Sequence, residues 1–196
     1  MPSTPIHNAQ FLAIDMEMTG VDPRVHEIVE VAAVPFTGLS MGEEEAFYSE
    51  IKPERFVPSK SKAVHGLHGR ELSHAPPIQK VLPEFLNLFR GRILITHGPD
   101  VDLRFLAEKS RIVGMEPPLR PVIDTSKLGL SVFNDFTKRP SLNDLLGRFG
   151  LSRPREKHNA LSDAILTARV FIGTVIQLKK AGKAATVMEL LRLGGA

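Results

Sequence analysis

The chain has 196 residues, 42% of them hydrophobic and 24% charged, proportions of an ordinary globular domain large enough to bury a core without staples. It contains no cysteine, which excludes disulfides and thiolate metal sites and makes the cytoplasm the expected compartment. No apolar run reaches the roughly 18 residues of a membrane span, and the opening MPSTPIHNAQ lacks the charged-then-apolar pattern of a signal peptide, so no membrane partner is expected.

The formal net charge of +3 is unevenly spread. Residues 1–50 hold nine acids and one base, Arg24, whereas 51–92 and 151–196 each hold eight bases against three acids. Basic flanks around an acidic centre suit a protein that binds a polyanion and works on it with carboxylates. Uneven solvated charge would read the same way.

Residues 11–18 alternate in the strand sense, with Leu12, Ile14, Met16 and Met18 on one face. Residues 26–36 and 46–51 read as second and third strands, and the turn residues between them predict an antiparallel meander. A long polar connection follows, and then residues 77–89 form an amphipathic helix with Val81, Phe85, Leu88 and Phe89 on one side. Residues 93–96 are a short buried strand feeding a helix that begins near Asp100. Another short strand at 122–123 leads into a helix from Thr125. Ser141 and Asp144 have the form of a capping box for a helix to Phe149. A long helix at 159–180 and a short one at 184–191 complete the chain. Strands followed by alternating helix and strand predict a mixed α/β domain.

Three places carry chemistry. On a strand Asp15 and Glu17 share a face, about 7 Å apart, while Met16 and Met18 turn into the core. Two like charges so close drive one carboxyl to protonate unless a cation lies between them; a half-exposed strand meeting water would also accommodate them. At the second place, Asp100 reads as a helix N-cap within reach of Arg104. Asp102 shares the inward face with Phe105 and Leu106 and wants a partner, for which a metal is suited. His97 reads as a structural strand-end histidine. At the third, Asp163 sits in an apolar helix among Leu161, Ala164, Ile165 and Leu166. His158, five residues earlier, would lie about 140° around that helix, so it is placed on the preceding loop, able to swing over a site lined by Asp163 or simply exposed. Converging carboxylates would favour Mg²⁺ or Mn²⁺ over zinc.

The order D-x-E, H-x4-D, H-x4-D, carried by Asp15-Met16-Glu17-Met18-Thr19-Gly20, by His97 to Asp102 with Phe105 and Leu106, and by His158-x-Ala160-x-x-Asp163-Ala164, resembles the DEDDh 3′→5′ exonucleases. This is the DnaQ-like group of the ribonuclease-H-like fold, which includes the proofreading epsilon subunit of bacterial DNA polymerase III, ribonuclease T and oligoribonuclease. Further matches are Val64-His65-Gly66-Leu67, Ile123-Asp124-Thr125, and Ser141-Leu142-x-x-Leu145 leading to Arg148-Phe149-Gly150. The resemblance spans about residues 10–175.

It implies an α/β, ribonuclease-H-like fold whose mixed central sheet has antiparallel first three strands and flanking helices. The exonuclease domain would cover 10–178, between an N-terminal tail, 1–9, and a C-terminal helical tail, 179–196, which could cap the domain or dock a partner. By position, Asp15, Glu17, Asp102 and Asp163 would hold two Mg²⁺ or Mn²⁺ ions, and His158 would be the general base. Met18, Thr19, Gly20 and His65 would touch the terminal nucleotide. The implied reaction releases nucleoside 5′-monophosphates from the 3′ end of DNA, single-stranded for preference. Partners would be DNA or RNA 3′ ends, with a DNA polymerase subunit or a second copy of the chain besides.

Met18 stands where DnaQ-like members usually have threonine and makes the first motif similar to oligoribonuclease, for which short RNA would be the substrate. His97-Gly98-Pro99 replaces the common His-Asn-Ala. Neither removes a metal ligand; loss of one of the five site residues would instead point to a silent nucleic-acid-binding module. Lys60, Lys62, Lys138, Arg139, Arg153, Arg155 and Lys157 flank the motifs and could track a phosphate backbone.

Overall fold

The computed structural model describes residues 4–42, 44–55, 71–116, 121–133, 137–153 and 158–196. Five strands, β1 (Gln10–Met18), β2 (Ile28–Thr37), β3 (Phe47–Glu50), β4 (Ile93–Thr96) and β5 (Val122–Asp124), form one sheet in the order β3-β2-β1-β4-β5. The β1–β2 and β2–β3 pairs are antiparallel, as the meander predicted, and β1–β4 and β4–β5 are parallel. The helices among the described residues are α1 (Ile78–Asn87), α2 (Asp100–Ser110), α3 (Thr125–Val132), α4 (Leu142–Arg148), α5 (Ala160–Lys180) and α6 (Val187–Gly194).

Alternation along β1 splits its side chains between two apolar layers. Leu12, Ile14 and Met16 pack with Val81, Leu82, Phe85 and Phe105, beneath α1 and α2, and Met18 joins this layer. Phe11 and Ala13 face the other way, toward Phe171, Val175 and Leu178 of α5. The start of α5 presents Ala160, Ala164 and Ala168 to the sheet, opposite Ala13 and Ala32. These small side chains let the backbone approach closely, since interaxial spacing follows the side chains at the contact. Further along, Phe11, Phe36 and Phe171 fill the gap, with ring centroids 4.9 to 5.8 Å apart. The end of α5 nearest the site is therefore drawn down onto β1. By length and composition α5 could cross a membrane, but its apolar face is spent on this layer.

Several boundaries differ from expectation for local reasons. Strand β2 begins at Ile28 rather than residue 26, because His26 and Glu27 wrap around Thr19. The Thr19 N–H donates to the Glu27 carbonyl at 2.9 Å, and the Glu27 N–H returns to the Thr19 hydroxyl at 3.0 Å. The last helix starts at Val187, later than expected, where Thr186 and Glu189 form a capping box. The capping box at Ser141 and Asp144 is present as predicted. Both chain ends are tied to the same body. Val187 N–H donates to the Thr4 carbonyl and Ala196 N–H to that of Val122, and Ile6, Val187 and Leu190 are buried.

Candidate active site

Asp15 and Glu17 leave β1 on the α5 side, at the end where the sheet register breaks. Glu17 pairs with Glu30, but Met18 pairs with Ile28, so Val29 is an extra residue in β2. Such a bulge bends the strand and re-aims the side chains around it. Glu17 is only 8% exposed. Its carboxyl is pushed up to about 8 by burial first, then by the charges of Glu30, Asp163 and Asp102. Asp15 is also raised, by burial and then by Asp102, Glu17 and Asp163. The repulsion expected from the D-x-E spacing is therefore present, but it involves acids from four elements rather than two neighbours.

Asp102 comes from the first turn of α2. It is buried, accepts a hydrogen bond from the Thr96 hydroxyl at 3.3 Å, and is pushed up to about 7 by burial, which that hydrogen bond opposes. The connection from β4 to α2 is held by a device the sequence did not advertise. Gly98 adopts a left-handed φ of 68°, which suits glycine, and its N–H donates to the buried Asp124 carboxylate at 3.1 Å. The same carboxylate caps α3 through Ser126. The expectation for Asp100 is corrected: Pro99 is the N-cap, and Asp100 is the first helical residue. Arg104 donates to the Asp100 backbone carbonyl, and the Asp100 carboxylate lies 4.0 Å from Arg139 instead. His97 is structural as expected, 2.8 Å from the Thr125 hydroxyl and lowered in pKa by burial.

Asp163 lies in the first turn of α5, 4% exposed. Asn159 caps the helix by accepting the Ser162 N–H, and His158 stands just before it on the loop, as the helical-wheel argument required. His158 Nδ1 is 3.3 Å from Asp163 Oδ2. The Asp163 carboxyl is raised by burial, against the opposing influence of Arg153 and His158. Arg153 Nε lies 3.2 Å from Asp163 Oδ1, yet out of line, so both buried atoms have no hydrogen-bond partner. Its terminal nitrogen is 2.7 Å from His158 Nδ1 and 2.9 Å from Nε2.

Glu17, His158 and Asp163 each offer a ligand atom, and the three atoms lie within 4.8 Å of one another. Buried carboxylates that repel one another, and a buried carboxylate oxygen lacking a hydrogen bond, fit a divalent cation. The oxygen-rich donor set fits Mg²⁺ or Mn²⁺ better than a softer ion.

Thr19 and Gly20 adjoin this centre. The His26 ring packs so closely on Gly20 that a Cβ there would meet it at 2.4 Å, and His26 Nδ1 is 3.3 Å from the Thr19 hydroxyl. His65, Lys60, Lys62, Arg155, Lys157 and the 64–67 motif lie outside the described residues. Arg139 and Arg153, expected to track phosphate, are engaged by Asp124 at 3.6 Å and by Asp163. The sequence reading missed Glu30. It is 2% exposed and accepts hydrogen bonds from the Tyr48 hydroxyl, the Asn159 amide and the Ala160 N–H. Its signal was a lone acid in the apolar run Ile28–Thr37.

Residues 12–171 match the exonuclease family RNase_T. The chain is 36% identical over 176 residues to the PolC-type DNA polymerase III of Thermotoga maritima, covering 89% of this chain but 12% of that protein. With the DNA polymerase III subunit epsilon of Aquifex aeolicus it shares 32% identity over 168 residues, 86% of this chain and 81% of the subunit. Two solved structures share the fold at 22% identity. Exonuclease X in complex with 5′-overhanging duplex DNA has a TM-score of 0.70, covering 93% of this chain and 98% of that one. The nuclease domain of 3′hExo, a DEDDh family member bound to rAMP, has a TM-score of 0.71, covering 87% and 93%. The family generally uses divalent metal ions. With its ribonuclease-H-like sheet and its exonuclease-family match over most of its length, the chain belongs to the exonuclease family and is related to the epsilon subunits of bacterial DNA polymerase III.

Proposed function

We propose that the protein is a metal-dependent 3′→5′ exonuclease that hydrolyses single-stranded DNA from its 3′ end and releases nucleoside 5′-monophosphates. The observation that carries this reading is the convergence of Glu17, His158 and Asp163, with ligand atoms within 4.8 Å, at the end of β1 where Asp15 and Asp102 act on them. Asp15, Glu17, Asp102 and Asp163 would hold two Mg²⁺ or Mn²⁺ ions. When bound, such ions supply the positive charge that a phosphodiester transition state needs and acidify a water.

The remaining roles fall to the chain. With its Nδ1 3.3 Å from Asp163 Oδ2, His158 would take the proton of the attacking water at Nε2 once Arg153, whose terminal nitrogen lies 2.9 Å from that atom, gives way to substrate. The water oxygen bonds to phosphorus, the bond from phosphorus to the 3′-oxygen of the preceding nucleotide breaks, that oxygen takes a proton from solvent and stays on the shortened strand as its new 3′-hydroxyl, and the released mononucleotide keeps its 5′-phosphate. His158 is about half exposed and so can meet a strand end from solvent. The backbone at Met18 and Thr19, held by Glu27 and His26, would receive the terminal nucleotide together with Gly20 and His65. DNA is favoured over RNA because the relatives sharing over 30% identity carry DNA polymerase III names. The same names suggest a DNA polymerase subunit as partner.

The test is degradation of 5′- and 3′-labelled oligonucleotides, DNA and RNA, single- and double-stranded, with Mn²⁺ or Mg²⁺. Mononucleotides should leave from the 3′ end, EDTA should stop the reaction, and Asp15→Ala should abolish it while the circular dichroism stays native. Hydrolysis that resists EDTA, or full activity in Asp15→Ala, would sink the reading. A preference for RNA would replace the substrate and leave the chemistry.

A further inference from the structure

Glu30 differs from the four acids assigned to the metal centre, because its oxygens are already committed to protein donors. It lies on β2 directly across from Glu17 in the sheet register and is 2% exposed. Its Oε1 accepts from the Tyr48 hydroxyl on β3 at 2.8 Å and from Asn159 Nδ2 at 3.3 Å. Its Oε2 accepts the N–H of Ala160, the first residue of α5, at 3.0 Å. The other end of the Asn159 amide accepts the Ser162 N–H at 3.1 Å, so Glu30 also sets which way the capping amide points. A carboxylate meeting the free N–H groups at a helix start is favoured by hydrogen bonding and by the helix dipole. Burial raises the Glu30 carboxyl, and these same hydrogen bonds oppose the rise.

What this anchor holds is the strand-to-helix distance on which the site depends. His158 is the residue before Asn159, and the Asp163 N–H donates to the Asn159 carbonyl at 3.0 Å. Glu17 is the register partner of Glu30 itself. Each half of the Glu17, His158 and Asp163 cluster is therefore tied to Glu30, by the sheet pairing on one side and through Asn159 and Ala160 on the other, although Glu30 offers it no ligand atom.

We propose that Glu30 is a positioning residue that fixes the start of α5 against β2 and so sets the spacing of Asp163 and His158 from Glu17. The proposal rests on the reading of that cluster as a metal centre. Two simpler roles compete with it: a staple that stabilises the fold and nothing else, and a negative charge that acts on Glu17 at a distance.

The experiment measures Mn²⁺ affinity of the full chain by calorimetry without nucleic acid, alongside thermal unfolding. Glu30→Asp keeps the charge but falls one methylene short of Asn159 and Ala160. It should weaken Mn²⁺ binding roughly 10- to 100-fold, the usual loss when the support of a metal ligand is removed, and lower kcat at saturating Mn²⁺ with little change in KM for DNA. Glu30→Gln should weaken binding as well. A lower Tm with unchanged Mn²⁺ affinity in Glu30→Asp would leave only a staple and overturn the proposal. Wild-type affinity in Glu30→Asp with weakened binding in Glu30→Gln would leave only the charge, and would overturn it too. If Glu30→Asp does not fold, Asn159→Ala removes the amide on the helix side, and the same weakening is expected; unchanged affinity there refutes the proposal. A wild-type chain that binds no Mn²⁺ would refute the metal-centre reading itself and take this inference with it.

Discussion

Raising the pH from about 6.5 to about 8 in EDTA should destabilise the fold. Glu17 is pushed up to about 8 by burial and by Glu30, Asp163 and Asp102, and Asp102 is pushed up to about 7 by burial. In the unfolded chain both carboxyls ionise near pH 4. Through this window the folded state holds protons that the unfolded state has lost, so stability falls as pH rises. Glu17 contributes the larger part and Asp102 about half as much, together on the order of 2 kcal/mol, and Asp15 and Asp163, also raised, act in the same direction. Glu17 and Asp102 are under a tenth exposed, so solvent screening does not erase the effect. His97, lowered from its ordinary value by burial, acts the other way near pH 6.5, where the unfolded imidazole is still about half protonated, and offsets a small part of the loss. In a chain of this size about 2 kcal/mol corresponds to a Tm lower by roughly 4–8 °C. The assay is thermal unfolding at both pH values for the wild type and Glu17→Gln, with EDTA and with Mn²⁺. Glu17→Gln should show a smaller pH dependence than the wild type. Mn²⁺ should restore stability at the higher pH, because it binds the ionised carboxylates of the folded state. A wild-type Tm that is flat or rises with pH in EDTA would refute the reasoning.

His158→Ala should lower kcat by roughly 10²- to 10⁴-fold, the usual worth of a positioned base, with little change in KM; a kcat within about tenfold of wild type would remove His158 from proton transfer. Gly20→Ala places a Cβ 2.4 Å from the His26 ring and should cost about 1–3 kcal/mol. Gly20→Ala/His26→Ala should then be more stable than the sum of the two single changes predicts, by thermal unfolding, and strict additivity would show that the clash is not the cause.

Alternation along residues 10–18 was enough to place Asp15 and Glu17 on one face and Met16 on the other, because a strand has a period of two wherever it occurs. The same holds for Asp102 and Asp163, whose apolar neighbours at helical spacing show that each carboxylate faces inward. The capping pair Ser141 and Asp144 and the loop position of His158 are equally local, which is why they were legible. Residue type and order also sufficed for the family, since the three motifs are short and contiguous. Other features were not legible, because they depend on residues far apart in the chain. Val29 bulges only because β2 must pair with β1 past Glu17. Asp124 holds Gly98 from a neighbouring strand. Arg153 turns to Asp163, and Arg139 to Asp124, where charge alone had suggested a surface track. Glu30 read as one acid among apolar residues, and its partners stand at positions 159 and 160. Thus the identity of the chemical groups and the direction each one faces were set by local periodicity in the sequence. Their spacing in the site was decided by the tertiary structure, because the β1–β2 register brings residues 17 and 30 together and only the packing of α5 on those strands adds residue 163.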